Sequence, residues 1–202
     1  MVVGARLDRA WFAGVVGGTE SARRRATERL HGGRVSLLAA TYFVTFVTEN
    51  RNPWLTAAAA TAAMLTALRD WHEEGDGRVL AATVMPDHVH VLFALGRRLD
   101  VGRCVSRWKA IGRRLAGYPG AWQRDFWEHR VRVQAQEEDY APYIYLNPYR
   151  AGLWSRSSAW PGWWAPELMR FRFTGLLGPG GEPPLEWLAW PDERFAGLET
   201  GE

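Results

Sequence analysis

The sequence predicts an α+β fold in which helices cover an antiparallel β-sheet. Three observations support this prediction: a β-branched and aromatic segment at residues 41–48, two apolar segments joined by the turn Met85-Pro86-Asp87, and helical patterns that separate the strands. The chain has 202 residues, of which 47% are hydrophobic and 23% are charged, so it has the length and composition to bury its own core.

The elements of the first half follow from local composition. Thr41–Thr48 (TYFVTFVT) is typical of a strand, and the run of residues 50–53 (NRNP) ends it. The alanine-rich residues 55–74 predict a helix that the glycines after it close. Residues 79–84 and 88–95 are apolar and are expected to pair as a hairpin.

The second half continues the alternation of helices and strands. Asp100 is predicted to cap a helix that reaches about Leu115. Residues 126–133 alternate as in a strand, residues 137–146 are helical, and Asn147-Pro148 is expected to end that helix. The order β-α-β-β-α-β-α is that of the ferredoxin-like split β-α-β arrangement, an antiparallel sheet with helices on one face.

The chain divides by composition into three parts. Residues 1–40 form a basic N-terminal extension, residues 41–155 hold the predicted elements, and residues 156–202 are net negative and rich in tryptophan. We expect this C-terminal tail to pack on the core, because a disordered segment rarely carries so many tryptophans. The longest apolar run, residues 55–68, is too short to span a bilayer. Together with the single cysteine, Cys104, this predicts a cytoplasmic protein without a membrane segment.

Positive charge is concentrated in one segment. Residues 97–150 carry ten arginines and Lys109 against six carboxylates. Five basic residues lie on the helix predicted after Asp100: Arg103, Arg107, Lys109, Arg113 and Arg114. Three of them recur at near-helical spacing, which fits either a face that contacts phosphates or a merely solvated face. Arginine together with 12 tryptophans suits a nucleic-acid partner, although codon bias produces the same excess.

His88 and His90 are two residues apart on a predicted strand, so both imidazoles point to the same face. Two adjacent imidazoles form half of a divalent-metal site. The alternative is a pair of histidines on a solvated strand face. The chain has only five histidines, and the presence of two at this spacing inside an apolar strand favours metal ligands.

Tyr143 and Asn147 are four residues apart, so they lie one turn apart on the helix predicted to end at Asn147-Pro148. A tyrosine hydroxyl can act as a nucleophile, and an amide oxygen can bind a hard metal ion. Taken alone, however, the pair fits better an amphipathic helix whose tyrosines pack on the sheet and whose asparagine caps the C-terminus.

The two motifs together resemble a known family. Residues 85–92 (MPDHVHVL) are similar to the HUH signature of single-tyrosine transposases, and residues 143–153 (YIYLNPYRAGL) are similar to the signature of REP-associated tyrosine transposases. The strand at residues 42–46 and the stretch 122–127 (WQRDFW) fit the same pattern in the same order. The resemblance covers about residues 40–165 and neither end of the chain.

The resemblance implies a role for each of these residues. His88 and His90 would bind Mg²⁺ or Mn²⁺, and Asn147 would complete the metal site. Tyr143 would be the nucleophile that forms a 5′-phosphotyrosine with single-stranded DNA, and residues 41–155 would be the catalytic domain. Members of the family act on hairpins formed by palindromic repeats, and a monomer and a homodimer both fit. Arg150, just after the active helix, is a candidate phosphate contact.

Other interpretations stay open. Tyr140 is close enough around the helix to compete with Tyr143, whereas Tyr145 is expected to point away and Tyr149 to lie beyond the helix. A non-catalytic DNA-binding regulator on the same fold would use the same basic residues. A metal-dependent hydrolase would need further His or Asp ligands close to His90, and the residues that follow are apolar. The short chain and single tyrosine motif disfavour a replication initiator or relaxase of the wider class.

Overall fold

The computed structural model describes residues 36–117, 120–132, 134–166 and 171–191, without the side chains of residues 134–136. Most of the basic N-terminal extension therefore lies outside the described residues. In chain order the helices and strands are β1 (Thr41–Thr48), α1 (Ala58–Glu73), β2 (Arg78–Val84), β3 (His88–Ala94), α2 (Val101–Ala116), β4 (Trp122–Val131), α3 (Gln134–Arg150), β5 (Trp163–Trp164) and α4 (Leu185–Leu188). Short 3₁₀ helices span Glu49–Arg51, Trp54–Thr56 and Arg172–Leu176. Within these ranges, no helix combines the length and the apolar character needed to cross a membrane.

The five strands form one antiparallel sheet in the order β4-β1-β3-β2-β5. The predicted hairpin of β2 and β3 is formed, with Val84 opposite Val89. On β1, Thr45 lies opposite His90 of β3 and opposite Trp127 of β4. The α+β class and the antiparallel sheet are confirmed.

Helices cover both faces of the sheet, which corrects the expectation of helices on one face. α1 and α2 cover one face, where Phe46 and Trp108 belong to a common core. α3 covers the other face, where Phe43 and Leu92 share a second core with Ile144. The physical reason lies in the strands, because successive residues of β1 and β3 point to opposite faces, most are apolar, and almost all are buried. Neither face can be left to water.

α2 begins where the sequence predicted. The Asp100 carboxylate accepts a hydrogen bond from the backbone N–H of Arg103 at 2.7 Å, so Asp100 is the N-cap. Gly117 follows the helix with φ 62°, a left-handed conformation that glycine adopts without a steric cost.

α3 is longer than the sequence predicted. The expected end at Asn147-Pro148 is wrong, because the helix continues through Pro142 and Pro148 to Arg150. Each proline removes one backbone hydrogen bond, but the helix is buried along most of this length and the packing outweighs that loss. Tyr149 therefore lies within the helix and not beyond it.

The described parts of the C-terminal tail pack on the sheet edge and on α3. The two residues of β5 pair with Ala82 and Thr83 of β2. The indole N–H of Trp160 donates to the Val84 carbonyl at 3.0 Å. Phe173 and the α4 residue Trp187 join the core beneath α3. This segment covers the β2 side of the sheet, which leaves β4 as the other outer strand.

Candidate active site

His88 and His90 lie at the start of β3, on the sheet face that α3 covers. Their Nε2 atoms are 3.1 Å apart. His90 is only 4% exposed and stacks on Phe43, with ring centroids 5.5 Å apart, whereas His88 is half-buried. The two imidazoles share one face, as their spacing predicted.

The other ring nitrogen of each histidine is held by a neighbouring side chain. His90 Nδ1 lies 2.8 Å from the Thr45 hydroxyl, which faces it across the β1–β3 pairing. His88 Nδ1 lies 2.6 Å from Oδ1 of Asp87. Partners of this kind fix the orientation of metal-binding imidazoles and the position of the ring proton. With both Nδ1 atoms engaged, both Nε2 atoms are directed into the site.

The electrostatics favour a neutral His90 and an ionised Asp87. Burial lowers the pKa of His90 well below its usual value, and the neighbouring His88 and Arg51 lower it further. Burial alone would raise the pKa of Asp87, but its hydrogen bond with His88 and the charges of His88 and Arg51 bring that pKa below its usual value. At neutral pH, His90 is therefore a neutral imidazole with a free lone pair on one ring nitrogen, and this is the form of histidine that binds a metal ion.

Asn147 and Tyr143 approach the same point from α3. Nδ2 of Asn147 lies 3.2 Å from Nε2 of His90, and a half-turn of the amide places Oδ1 at the same position. The ring centroid of Tyr143 is 5.8 Å from that of His90 and 5.9 Å from that of Phe43. The structure thus brings together the two histidines, the asparagine and the tyrosine that the sequence singled out.

The donor set fits a divalent metal ion that keeps open coordination positions. Two imidazole nitrogens and one side-chain amide converge. With the amide turned so that Oδ1 faces the histidines, water or phosphate oxygens would complete the coordination sphere of an ion bound there. Among the described residues there is no group of three or more His, Cys, Asp or Glu side chains that could hold a metal. A metal ion placed between His88 and His90 would therefore take Asn147 as its third protein ligand.

The other tyrosines of α3 are used within the fold. Tyr140 is fully buried, with its ring centroid 4.8 Å from that of Phe43, and burial raises its pKa well above the usual range. The Tyr145 hydroxyl donates to the Gly181 carbonyl, and burial and the hydrogen bond with Tyr149 raise its pKa. The Tyr149 hydroxyl donates to the carbonyl of Ser158 at 2.8 Å. Tyr143 is the tyrosine of this helix whose ring contacts His90.

The basic residues predicted on α2 lie on the opposite face of the sheet from His88 and His90. Arg107 forms an ion pair with Glu74, and Arg103 lies 3.5 Å from the carboxylate of its helix cap, Asp100. Arg113 and Arg114 are exposed at the end of the helix. The structure therefore does not bring these arginines next to the histidine–tyrosine cluster.

Lys109 differs from the arginines because it points into the fold. It is 9% exposed, and its ammonium donates to the backbone carbonyls of Gln123 at 2.7 Å and Asp125 at 3.4 Å. Burial lowers the pKa of Lys109 to about 8, and the charge of Asp125 opposes this effect. The ammonium serves to tie α2 to β4.

A cleft of about 900 Å³ is lined mainly by residues of α2 and β4. Its basic and aromatic lining residues are Arg103, Lys109, Arg113, Arg124, Trp122 and Phe126. The sequence did not single out Arg124, because the packing of β4 beside α2 depends on the tertiary structure. Arg150 occupies the last turn of α3, the helix that carries Tyr143 and Asn147.

Sequence reasoning also missed the partners of the histidines. Asp87 stands directly before His88, which was a usable signal. Thr45 is 45 residues from His90 and could be found only through the β1–β3 register. Arg51 lies 36 residues from Asp87, to which it donates at 2.8 Å.

The chain is similar in sequence to named transposases. The REP-associated tyrosine transposase of Escherichia coli (strain K12) is 33% identical over 84 residues, which is 40% of this chain and 50% of that protein. The putative REP-associated tyrosine transposase of Haemophilus influenzae (strain ATCC 51907 / DSM 11121 / KW20 / Rd) is 27% identical over 97 residues, covering 41% and 55%. The chain thus spans about half the length of these relatives.

The fold is that of a REP-associated tyrosine transposase. A solved structure of such a transposase bound to a REP hairpin matches with a TM-score of 0.52 and 22% identity, covering 76% of this chain and 97% of that one. A family model described as "Transposase IS200 like" matches residues 36–144, more than half of the chain. The chain belongs to this IS200-like transposase family.

Proposed function

We propose that the protein is a metal-dependent transposase-like enzyme that cuts and rejoins single-stranded DNA at or near hairpins through a 5′-phosphotyrosine. The observation that carries the proposal is the convergence of four side chains: the His88 and His90 Nε2 atoms 3.1 Å apart, the Asn147 amide 3.2 Å from His90, and the Tyr143 ring beside His90. Membership of the family supports DNA as the substrate, and the REP hairpin bound by the similar solved protein supports a hairpin.

In the proposed reaction the Tyr143 hydroxyl oxygen attacks the scissile phosphorus. The bond from Tyr143 to phosphorus forms, the bond from phosphorus to the 3′-oxygen breaks, and the phenolic proton is transferred in net terms to that 3′-oxygen. Mg²⁺ or Mn²⁺, when bound, supplies positive charge to the phosphate oxygens. His88, His90 and Asn147 would hold this ion. The 3′-hydroxyl of a DNA strand then attacks the phosphotyrosine and displaces the Tyr143 oxygen, which reverses the step without an external energy source.

The proposed DNA contacts occupy two surfaces. Arg150 is on the helix of the nucleophile, whereas Arg103, Arg107, Arg113 and Arg114 are on α2, across the sheet. A nucleic acid that contacts both must pass around the β4 side, where the cleft contains a further arginine at position 124. Phosphate contacts of this kind add affinity that falls with salt concentration.

The test is the formation of a covalent protein–DNA adduct. The full chain is incubated with labelled single-stranded hairpin DNA and Mn²⁺, and the products are separated on a denaturing gel. We expect an adduct in the native chain and its loss in Tyr143→Phe and His90→Ala. Tyr140→Phe is the matched control, because it removes a hydroxyl from the same helix and should keep the adduct.

An adduct that survives Tyr143→Phe would overturn the assignment of the nucleophile. Hairpin binding without an adduct, across several hairpins, would instead indicate a non-catalytic DNA-binding regulator. Metal-dependent cleavage without any covalent intermediate would indicate a hydrolase. An adduct whose formation does not need a divalent metal would contradict the proposed roles of His88 and His90.

A further inference from the structure

We propose that Arg51 is a positioning residue that holds His88 in its metal-binding orientation by fixing Asp87. This inference rests on the proposed function, because the orientation matters only if His88 binds a metal. Arg51 lies outside both sequence motifs, on the 3₁₀ turn that follows β1.

Arg51, Asp87 and His88 form a continuous chain of polar contacts. Nη1 of Arg51 donates to Oδ2 of Asp87 at 2.8 Å, and Oδ1 of the same carboxylate lies 2.6 Å from Nδ1 of His88. The Asp87 side chain is 5% exposed, whereas the Arg51 side chain is 41% exposed. Each carboxylate oxygen thus has a different partner, so the carboxylate plane is held from both sides. A fixed carboxylate in turn fixes the His88 ring.

The turn that carries Arg51 has a left-handed backbone at two consecutive residues. Asn50 and Arg51 have φ angles of 52° and 54°, a conformation that asparagine tolerates but that is unfavourable for arginine. Strained backbone of this kind persists where the surroundings enforce it and often marks a functional position.

Thr48 supplies the contacts that hold this turn against the Asp87 turn. Its backbone N–H donates to the Asp87 carbonyl at 2.9 Å, and its hydroxyl lies 3.0 Å from the same carbonyl. The hydroxyl also lies 2.8 Å from the Asn52 carbonyl, which follows the two left-handed residues. The end of β1, the Arg51 turn and the start of β3 are thus one locally bonded unit.

The first test measures Mn²⁺ affinity without DNA. The free Mn²⁺ signal in electron paramagnetic resonance is titrated with the full chain and its variants. Loss of an outer partner of a metal-binding histidine weakens metal affinity by about 10- to 100-fold, and since Arg51 acts through Asp87 we expect about tenfold for Arg51→Ala. Asp87→Asn should weaken affinity at least as much. Arg51→Lys, which keeps a positive charge, should restore part of the loss.

Arg98→Ala is the matched control. Arg98 is also a partly exposed arginine that pairs with a buried aspartate, Asp76, at 3.2 Å, but it lies beyond the other end of β3. This variant should bind Mn²⁺ as the native chain does. If Arg51→Ala and Arg98→Ala have the same affinity as the native chain, the proposed role of Arg51 is wrong. Should Arg51→Ala fail to fold, Arg51→Gln removes the charge while keeping a polar, partly extended side chain, and carries the same expectation.

The second readout is the ring proton of His88 in metal-free protein. Long-range ¹⁵N–¹H NMR correlations should show His88 protonated at Nδ1 in the native chain and a mixture of ring forms in Arg51→Ala. An unchanged ring form in Arg51→Ala would refute the positioning role even if metal affinity fell. If the native chain bound no Mn²⁺, the proposed metal site would fail, while this NMR comparison would still decide whether Arg51 orients His88.

Discussion

Replacing Lys109 with methionine tests how a buried cation is accommodated between α2 and β4. The lysine ammonium lies 5.8 Å from the Phe46 ring centroid and 5.9 Å from the Phe126 ring centroid, and it donates to two carbonyls of β4. Burial lowers the pKa of Lys109 from 10.5 to about 8. Methionine has a similar length and no charge, so it keeps most of the packing and removes the titration.

The sign of the pH dependence follows from this pKa. The unfolded chain keeps the ordinary lysine pKa, so between about pH 8 and pH 10.5 it binds more protons than the folded chain. The free energy of unfolding therefore rises with pH across this window. With a folded pKa of about 8, Lys109 contributes a rise of about 2 kcal/mol between pH 7 and pH 9.5.

Urea unfolding followed by tryptophan fluorescence measures this contribution. The native chain and Lys109→Met are unfolded at pH 7 and at pH 9.5, and the change between the two pH values is compared. Groups other than Lys109 titrate in both proteins and cancel, so the difference should be about 2 kcal/mol. Arg114→Met, an exposed position of the same helix, should show the native pH dependence. Equal pH dependence in Lys109→Met and the native chain would refute the argument.

Three further predictions concern the helix cap, the site and the cleft. Asp100→Ala removes the N-cap of α2 and should lower the free energy of unfolding by about 1 kcal/mol, measured by urea unfolding, whereas Asp100→Asn should cost much less. Thr45→Val removes the partner of His90 Nδ1 and should weaken Mn²⁺ binding about tenfold in calorimetry; an unchanged affinity would show that the hydroxyl does not orient the ring. Arg124→Ala should weaken hairpin binding, and the slope of the logarithm of the binding constant against the logarithm of salt concentration should become shallower by about 1, the value for one lost phosphate contact. An unchanged slope would exclude this cleft as a DNA surface.

Local patterns were sufficient for most of the elements. The β-branched run of β1, the hairpin turn before His88 and the cap at Asp100 each depend on neighbouring residues, and the structure shows all three. The end of α3 could not be predicted in this way. The rule that proline ends a helix is local, whereas the packing that carries α3 past Pro148 comes from the sheet and the tail.

The candidate site shows the same division. The spacing of His88 and His90 predicted a shared face because strand geometry repeats every two residues. The side chain opposite His90 is set by the pairing of strands that are 45 residues apart in the chain. Thr45 therefore could not be identified from the sequence as the partner of His90. The basic helix was recognisable from its arginines, but its position across the sheet from the histidines depends on tertiary packing. The charges in a sequence do not show which face of the sheet a helix will cover.

α3 shows how one short motif serves both the site and the fold. Residues two positions apart on a helix are separated by about 200° around its axis, and residues four apart lie on the same side. Tyr143 and Asn147 therefore form one stripe, which faces His90. Tyr145 and Tyr149 form the opposite stripe, and their hydroxyls donate to carbonyls of the C-terminal tail. Contacts to the tail thus fix the rotation of α3, and this rotation determines which tyrosine is presented to the histidines.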